Sequence, residues 1–153
     1  MENETKNKID RLMEDLTIYE TEAPNGRRPL VTQTFGNQWR ILTIRGNVTT
    51  VDWMEAPLPE GVLGATRLCG SRASMAFTPS LAEREDRVVV GVFCSQLAHV
   101  ITGSAFEGLL WRHWCSELVR RFRWIWSEYG FRTPLNDVPY TGRALRKALK
   151  GEK

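Results

Sequence analysis

The sequence has two histidines and three cysteines, and four of these five side chains lie close together in the chain: Cys94, His99, His113 and Cys115. A structural zinc ion needs a tetrahedral set of such ligands that converge on one point. On a helix, residues 94 and 99 would lie roughly 140° apart and residues 113 and 115 about 200° apart, because each residue turns the helix by about 100°. Neither pair shares a face. We therefore predict no metal site, and no cysteine nucleophile that a histidine activates.

The sequence contains none of the other motifs that mark catalytic or cofactor sites. It has no Walker loop, GxGxxG, GxSxG, EF-hand loop or paired CxxC motif. We therefore predict that the protein is not an enzyme and binds no cofactor. An odd number of cysteines without a CxxC pair is typical of reduced thiols, which indicates a cytoplasmic location. The charged start of the chain has no signal-peptide core, and the most apolar run, residues 88–106, is too polar to span a membrane.

Basic residues that surround a tryptophan form the clearest candidate binding site. On a helical wheel of residues 104–130, Arg112, Arg120, Arg121 and Arg123 share the polar side with Trp124. The site residues that we predict are Arg112, Arg120, Arg123 and Trp124, supported by Arg143, Arg146 and Lys147. The segment 101–153 carries a net charge of +5, whereas the segment 1–23 carries −4, so the C-terminal part of the chain attracts anions.

Two kinds of anionic partner fit this basic surface. An acidic protein is our first hypothesis, because arginine and tryptophan dominate the energetics of protein interfaces. Leu109 and Trp124 fall in the polar sector of the helix, where they would be exposed anchors. Arginines form charge-assisted hydrogen bonds with carboxylates and phosphates alike, so nucleic acid is the alternative, with Trp124 stacking on a base. Against nucleic acid, the net charge is only +3 and no nucleic-acid-binding motif is present. We expect a non-catalytic interaction protein of the inhibitor or adaptor type.

A second alternative rests on the order of three short segments: LPEGVLGAT (58–66), RASMAFTPSL (72–81) and VFCSQLAHVITG (92–103). This order resembles the ImmA/IrrE-type zinc peptidases, in which an LPxGxxG-like stretch and a strand precede a helix with an HExxH motif. Of the motif, only His99 is matched; Ser95 stands in place of the first histidine and Gln96 in place of the glutamate. A zinc-activated water would have neither its holder nor its base. The resemblance therefore implies a catalytically dead relic of such a peptidase.

The basic surface needs a helix to position it, and residues 104–129 have the pattern of one. Ser104 and Glu107 form a capping-box pattern, which predicts that the helix begins there. From Trp111 onward the apolar residues share one broad sector, which we expect to face the core. Gly130 suits the position just after a helix end.

The remaining segments predict the elements that support this helix. An amphipathic pattern predicts an N-terminal helix at residues 5–19, followed by a loop at 23–29. Runs rich in β-formers predict a strand at 30–35 and two hairpins, at residues 38–53 and 62–78, which turn at Gly46-Asn47 and Gly70. Residues 92–101 favour a helix that Gly103 ends, whereas residues 88–90 fit either a strand or a helix.

Together these elements predict one α+β domain over residues 1–153, with residues 1–4 and 151–153 flexible. In this arrangement a small, mainly antiparallel sheet packs against a long C-terminal amphipathic helix, and the N-terminal helix lies on its flank.

Overall fold

The strands lie in the first half of the chain and three of the four long helices follow them. The computed structural model describes residues 3–22, 30–33, 38–129 and 135–151. Its helices are α1 (Glu4–Glu22), α2 (Asp86–Thr102), α3 (Leu109–Tyr129) and α4 (Gly142–Gly151), with a short 3-10 helix at Pro79–Glu83. Its strands are β1 (Val31–Gln33), β2 (Trp39–Leu42), β3 (Val48–Glu55), β4 (Gly64–Cys69) and β5 (Arg72–Phe77). The predicted α+β class and the predicted N-terminal helix are confirmed.

Both predicted hairpins form, and they supply four of the five strands. β2 pairs antiparallel with β3 and β4 with β5, and the turns place Gly46 at φ +86° and Gly70 at φ +61°. Positive φ angles cost glycine little, so these two residues favour the turns. β1 pairs antiparallel with β2, and the strand order is β1-β2-β3-β5-β4. The contact between β3 and β5 is parallel, so the sheet is mixed but mainly antiparallel.

The helix at the centre of the fold is α2, which is shorter than α3. From residue 88 to residue 102, every residue of α2 except Gln96 is buried. α2 packs against β2, β4 and β5 on one side and against α3 and α4 on the other, whereas α3 packs mainly against α2 and α1. The predicted long helix, α3, therefore packs on α2, and α2 packs on the sheet. The predicted architecture did not include α2 as a layer between the two.

Residues 88–90, which fit either a strand or a helix by sequence, are helical. A helix that is buried on every side has no polar face, so its sequence lacks the amphipathic signal. The β-branched run at 88–90 then looks like a strand. Gly103 ends α2 in the left-handed conformation, at φ +64°, which confirms the predicted stop.

The long helix begins later than the sequence predicts. The capping box predicted at Ser104 is wrong, because α3 starts at Leu109. The hydroxyl of Ser104 accepts a hydrogen bond from the N–H of Phe106 at 3.0 Å, and the carboxylate of Glu107 lies 3.1 Å from His99 Nε2. Serine favours polar turns for the same reason that it favours helix caps, so the sequence pattern alone does not separate the two.

α1 lies across the sheet and joins it to α3. Its apolar stripe is buried and consists of Ile9, Leu12, Met13 and Leu16. Trp126 of α3 donates its indole N–H to the buried carboxylate of Asp15 at 3.2 Å, which ties α1 to α3. Several predictions lie outside the described residues: the loop at 23–29, the strand end at 34–35, the helix end at residue 130, and the behaviour of residues 1–2 and 152–153.

The segment that leads to α4 crosses α2 in direct contact with its backbone. An ideal Cβ atom placed on Gly91 would lie only 1.7 Å from the carbonyl oxygen of Pro139. Only glycine leaves room for such an approach. Leu135, Val138 and Ala148 belong to the same buried core, so the chain stays packed from this crossing into α4.

Candidate partner-binding surface

The arginines in the middle of α3 are held by one carboxylate of the same helix. Arg120 donates to both oxygens of Glu117, through Nε at 2.9 Å and Nη2 at 2.6 Å, and Arg121 Nε donates to the second oxygen at 2.9 Å. The hydrogen bond from Arg120 is the main cause that lowers the pKa of Glu117 to about 2, and Arg121 adds to it. Glu117 is therefore ionised at neutral pH. Its negative charge offsets the positive charge of Arg120, which we predicted to bind a partner.

Arg121 does not belong to the exposed face on which the helical wheel places it. Only 5% of this residue is exposed, and its guanidinium lies 5.9 Å from the ring centroid of Trp114. Contact with an aromatic face and a carboxylate lowers the free-energy cost of burying an arginine. Its role is structural, because its side chain is already enclosed by Trp114 and Glu117.

Two further predicted site residues, Arg123 and Trp124, lie at the far end of the same helix. Arg123 is exposed, and its Nε donates to the backbone carbonyl of Leu135 at 3.1 Å, which holds the segment before α4. Trp124 is 36% exposed and so lies near the surface, as its position on the wheel predicts. Arg123 is thus partly engaged within the protein, whereas Arg112, nearer the start of α3, is exposed and pairs with no carboxylate among the described residues.

α4 presents a basic face that the rest of the described protein does not neutralise. Its apolar side packs inward and consists of Ala144, Leu145, Ala148 and Leu149. Its outer side is basic and consists of Arg143, Arg146, Lys147 and Lys150, all of them exposed. α4 contains no acidic residue, and within the described ranges no carboxylate pairs with these four side chains. The available positive charge therefore lies on α4 rather than in the middle of α3.

A cluster of exposed apolar side chains marks the start of α3. Leu109 is 87% exposed, Phe106 78% and Leu110 50%. Single exposed apolar residues are ordinary, but three within five consecutive positions form a patch, and such patches mark binding sites. The exposure of Leu109 agrees with its place on the helical wheel.

His99 fixes the segment that carries this patch. Its ring stacks on Trp111 at a centroid distance of 5.4 Å, and its Nδ1 lies 2.9 Å from the carbonyl oxygen of Ser104. Its Nε2 lies 3.1 Å from Glu107. Both ring nitrogens therefore lie within hydrogen-bond distance of an oxygen atom of the α2–α3 turn. These contacts anchor the turn between α2 and α3, on which Phe106 is displayed.

The first turns of α3 and α4 lie near each other. The ring of Trp111, in the first turn of α3, packs edge to face on Tyr140 at 6.3 Å. Tyr140 directly precedes Thr141, whose hydroxyl accepts the N–H of Ala144 at 3.1 Å and so caps α4. We use the name α3–α4 surface for the apolar patch and the basic residues around this contact: Phe106, Leu109, Leu110, Arg112, Arg143, Arg146 and Lys147.

The residues that carry the peptidase resemblance are engaged in bonds within the fold. Ser95 is buried and donates to the carbonyl of Val92 at 2.8 Å, and the side chain of Gln96 accepts a hydrogen bond from Thr66 of β4 at 2.7 Å. In the described part of the chain, no three His, Cys, Asp or Glu side chains are grouped so that they could hold a metal ion. A groove of about 390 Å³ is lined by Thr66, Gln96 and His99, and also by Ala105 and Glu107, which flank Phe106 in the chain.

The three cysteines are free thiols. Cys94 and Cys115 are buried, and burial raises the pKa of both, that of Cys115 to about 12. Protonated thiols are poor nucleophiles and poor metal ligands. His113 is exposed on α3 and takes no part in a cluster with them.

Sequence reasoning found the basic residues but missed what surrounds them. Phe106 and Leu110 were not predicted as site residues. Phe106 fell within the predicted helix, which in the structure begins only at Leu109, and Leu110 is an ordinary apolar residue by type. The signal for Leu110 was the unbroken run of apolar residues at 109–111, which is wider than one buried helix face requires.

Comparison with protein families, with curated proteins and with solved structures found no match to this chain. Among the described helices, none is both long and apolar enough to cross a lipid bilayer. Any assignment of function therefore rests on the geometry of the surface.

Proposed function

We propose that this protein is a non-catalytic interaction protein, of the inhibitor or adaptor type, which binds an acidic protein partner in a cytoplasmic compartment. The observation that carries the proposal is the α3–α4 surface, which combines the unneutralised basic side chains of α4 with the exposed apolar side chains at the start of α3. An interface of this kind combines an apolar centre with a charged rim.

The basic face of α4 sets the charge of the partner. Arg143, Arg146 and Lys147 have no competing carboxylate within the described residues, so a partner carboxylate would gain charge-assisted bonds without displacing an internal one. Arg120 and Arg123 contribute less, because Glu117 and the carbonyl of Leu135 already hold them. Charged groups of this kind mainly set the rate of encounter and the choice of partner.

The apolar patch favours a protein over a nucleic acid. Phe106, Leu109 and Leu110 together offer aliphatic and aromatic area that a phosphate backbone cannot cover. A protein partner would bury this area at roughly 25 cal/mol per Å², which supplies affinity that the exposed charges alone do not. Trp124 lies on a later turn of α3, away from this patch, and we assign it a peripheral part.

Charge reversal on α4 tests the proposal. The variant R143E/R146E should lose most of the partner that the wild-type protein captures from an extract of its host, with about a tenfold or greater drop in affinity for the purified partner. The measurement is capture on the immobilised full chain, identification of the bound protein by mass spectrometry, and titration of that protein against both variants.

A control with the same change in net charge separates this surface from general electrostatics. R40E/R67E alters two exposed arginines on the sheet face that points away from the helices, and it should retain capture. Equal loss in both variants, or retention in both, would refute the assignment to α4. Capture of nucleic acid, with affinity that falls steeply as salt is added, would replace the acidic protein with the alternative partner.

A further inference from the structure

A second cavity, of about 460 Å³, lies between α1 and the half of the sheet that contains β1, β2 and β3. Lys6, Asp10 and Glu14 of α1 line one side at intervals of one helical turn, and Trp39 and Trp53 line the side of the sheet. This cavity is separate from the α3–α4 surface, because none of its described lining residues belongs to α3 or α4.

The two tryptophans meet at an angle and form a corner. Their ring centroids are 5.7 Å apart and the ring planes are inclined by 56°. Trp39 pairs with Val51 across the β2–β3 ladder, and Trp53 follows Val51 by two residues on β3. Because alternate residues of a strand point to the same face, both rings lie on the helix-facing side of the sheet with Val51. Both tryptophans line the cavity, and an aromatic face attracts a cation because it carries negative charge.

The cavity carries a net negative charge, because its lining contains the carboxylates of Asp10, Glu14 and Asp52 and a single ammonium group, that of Lys6. Asp10 is the least exposed of the three carboxylates, and its oxygens are already engaged. Asp10 already accepts from the indole N–H of Trp53 at 2.7 Å and from Lys6 Nζ at 3.2 Å. Glu14 is exposed at the rim, where it adds negative charge. A guanidinium or a primary ammonium has N–H donors that need partners inside the site, whereas a fully alkylated ammonium has none.

We propose that this cavity is a binding site for a quaternary ammonium group, which would sit against Trp39 and Trp53 near the carboxylates of Glu14 and Asp52. The geometry selects this ligand class on two grounds: the aromatic corner stabilises the positive charge, and the engaged state of Asp10 disfavours cations that must donate hydrogen bonds. The proposal is independent of the acidic partner at the α3–α4 surface.

Choline and its uncharged carbon isostere, 3,3-dimethylbutan-1-ol, test the site. We expect choline to bind the protein saturably and about fivefold or more tightly than the isostere, because only choline gains the attraction of the ring faces. Titration followed by two-dimensional NMR should shift the indole N–H signals of Trp39 and Trp53 and leave that of Trp124 in place. Equal affinity for the two compounds, or shifts spread over all the indoles, would overturn the proposal.

Variants locate the binding in the corner. Trp39→Leu should abolish choline binding, and Trp39→Phe, which keeps an aromatic ring for packing, should weaken it. Trp124→Phe is the matched control and should leave the affinity unchanged. If Trp39→Leu does not fold, the comparison of Trp39→Phe with Glu14→Gln decides: both should bind choline more weakly than the wild type, and unchanged affinity in both would contradict the site.

The quaternary ammonium could come from a small amine or from a trimethylated lysine of a protein. A short peptide with one trimethyl-lysine, compared with the same peptide with unmodified lysine, distinguishes the two sources. Tighter binding of the trimethylated peptide than of choline would support a protein ligand, and similar affinity would support a small amine. Absence of binding by both choline and the trimethylated peptide would overturn the proposal.

Discussion

Replacing Gly91 with alanine should lower the free energy of unfolding by about 3 kcal/mol, although alanine is the better helix former by about 1 kcal/mol. The added methyl group would lie 1.7 Å from the carbonyl oxygen of Pro139 and 2.8 Å from its carbonyl carbon. Because the obstacle is backbone rather than a flexible side chain, no rotamer change relieves the clash. Either α2 or the segment that leads to α4 must move, and both belong to the buried core.

Gly151→Ala provides the control for this prediction. Gly151 also lies in a helix, at the end of α4, and a Cβ atom there would meet nothing within 4 Å. Its melting temperature should equal or slightly exceed that of the wild type. Urea denaturation of the three proteins measures the effect, and a Gly91→Ala variant as stable as Gly151→Ala would show that the crossing at Pro139 is not as close as described.

Replacing Phe122 with alanine should destabilise the protein by about 4 kcal/mol, the typical cost for a buried aromatic ring. Phe122 is fully buried on α3 and packs edge to face on Phe93 of α2, with the ring centroids 5.8 Å apart. Its loss would leave a cavity between the two helices that form the largest helix–helix contact of the fold. The cost arises both from the lost burial and from the void.

Trp124, two residues later on the same helix, provides the matched comparison. It is 36% exposed, so Trp124→Ala should cost about 2 kcal/mol, roughly half the cost of Phe122→Ala, even though it removes a larger ring. Chemical denaturation of both variants checks the orientation of α3. A Trp124→Ala variant that loses as much stability as Phe122→Ala would mean that the helix presents a different face to the core.

The parts of the fold that depend on local signals were predictable from sequence. The two hairpins combine β-forming runs with glycines that adopt positive φ, and α1 has a regular apolar stripe that ends up buried. In each case the information lies within a few residues of the element it specifies. The same holds for the end of α2 at Gly103.

The central position of α2 was not predictable in this way. Its sequence between residues 88 and 102 is apolar around the whole circumference, because it is covered by the sheet on one side and by α3 and α4 on the other. Periodicity cannot identify a helix that has no solvent-facing side. The late start of α3 was also not predictable. Ser104 and Glu107 have the residue types of a capping box, but their side chains contact the N–H of Phe106 and the ring of His99 instead of capping a helix.

The candidate site was predictable by composition but not by arrangement. A helical wheel places Arg120 and Arg121 on one polar face, yet Glu117 binds both and Trp114 helps to bury Arg121. By contrast, α4 has no acidic residue within it, so the free charge of Arg143 and Arg146 could be read from the sequence. The cavity at Trp39 and Trp53 depends on strand register together with the position of α1, which the sequence alone does not specify.

The most direct test of the proposed partner surface is site-specific photo-crosslinking in the native host. A photoreactive amino acid at Leu109, which is 87% exposed in the apolar patch, should crosslink to a single acidic protein. The same group at Met54, which is 50% exposed on β3, should give no such product. Adding R143E/R146E to the Leu109 probe should remove the crosslink. A crosslink of equal yield from Met54, or one from Leu109 that persists after the charge reversal, would contradict the account.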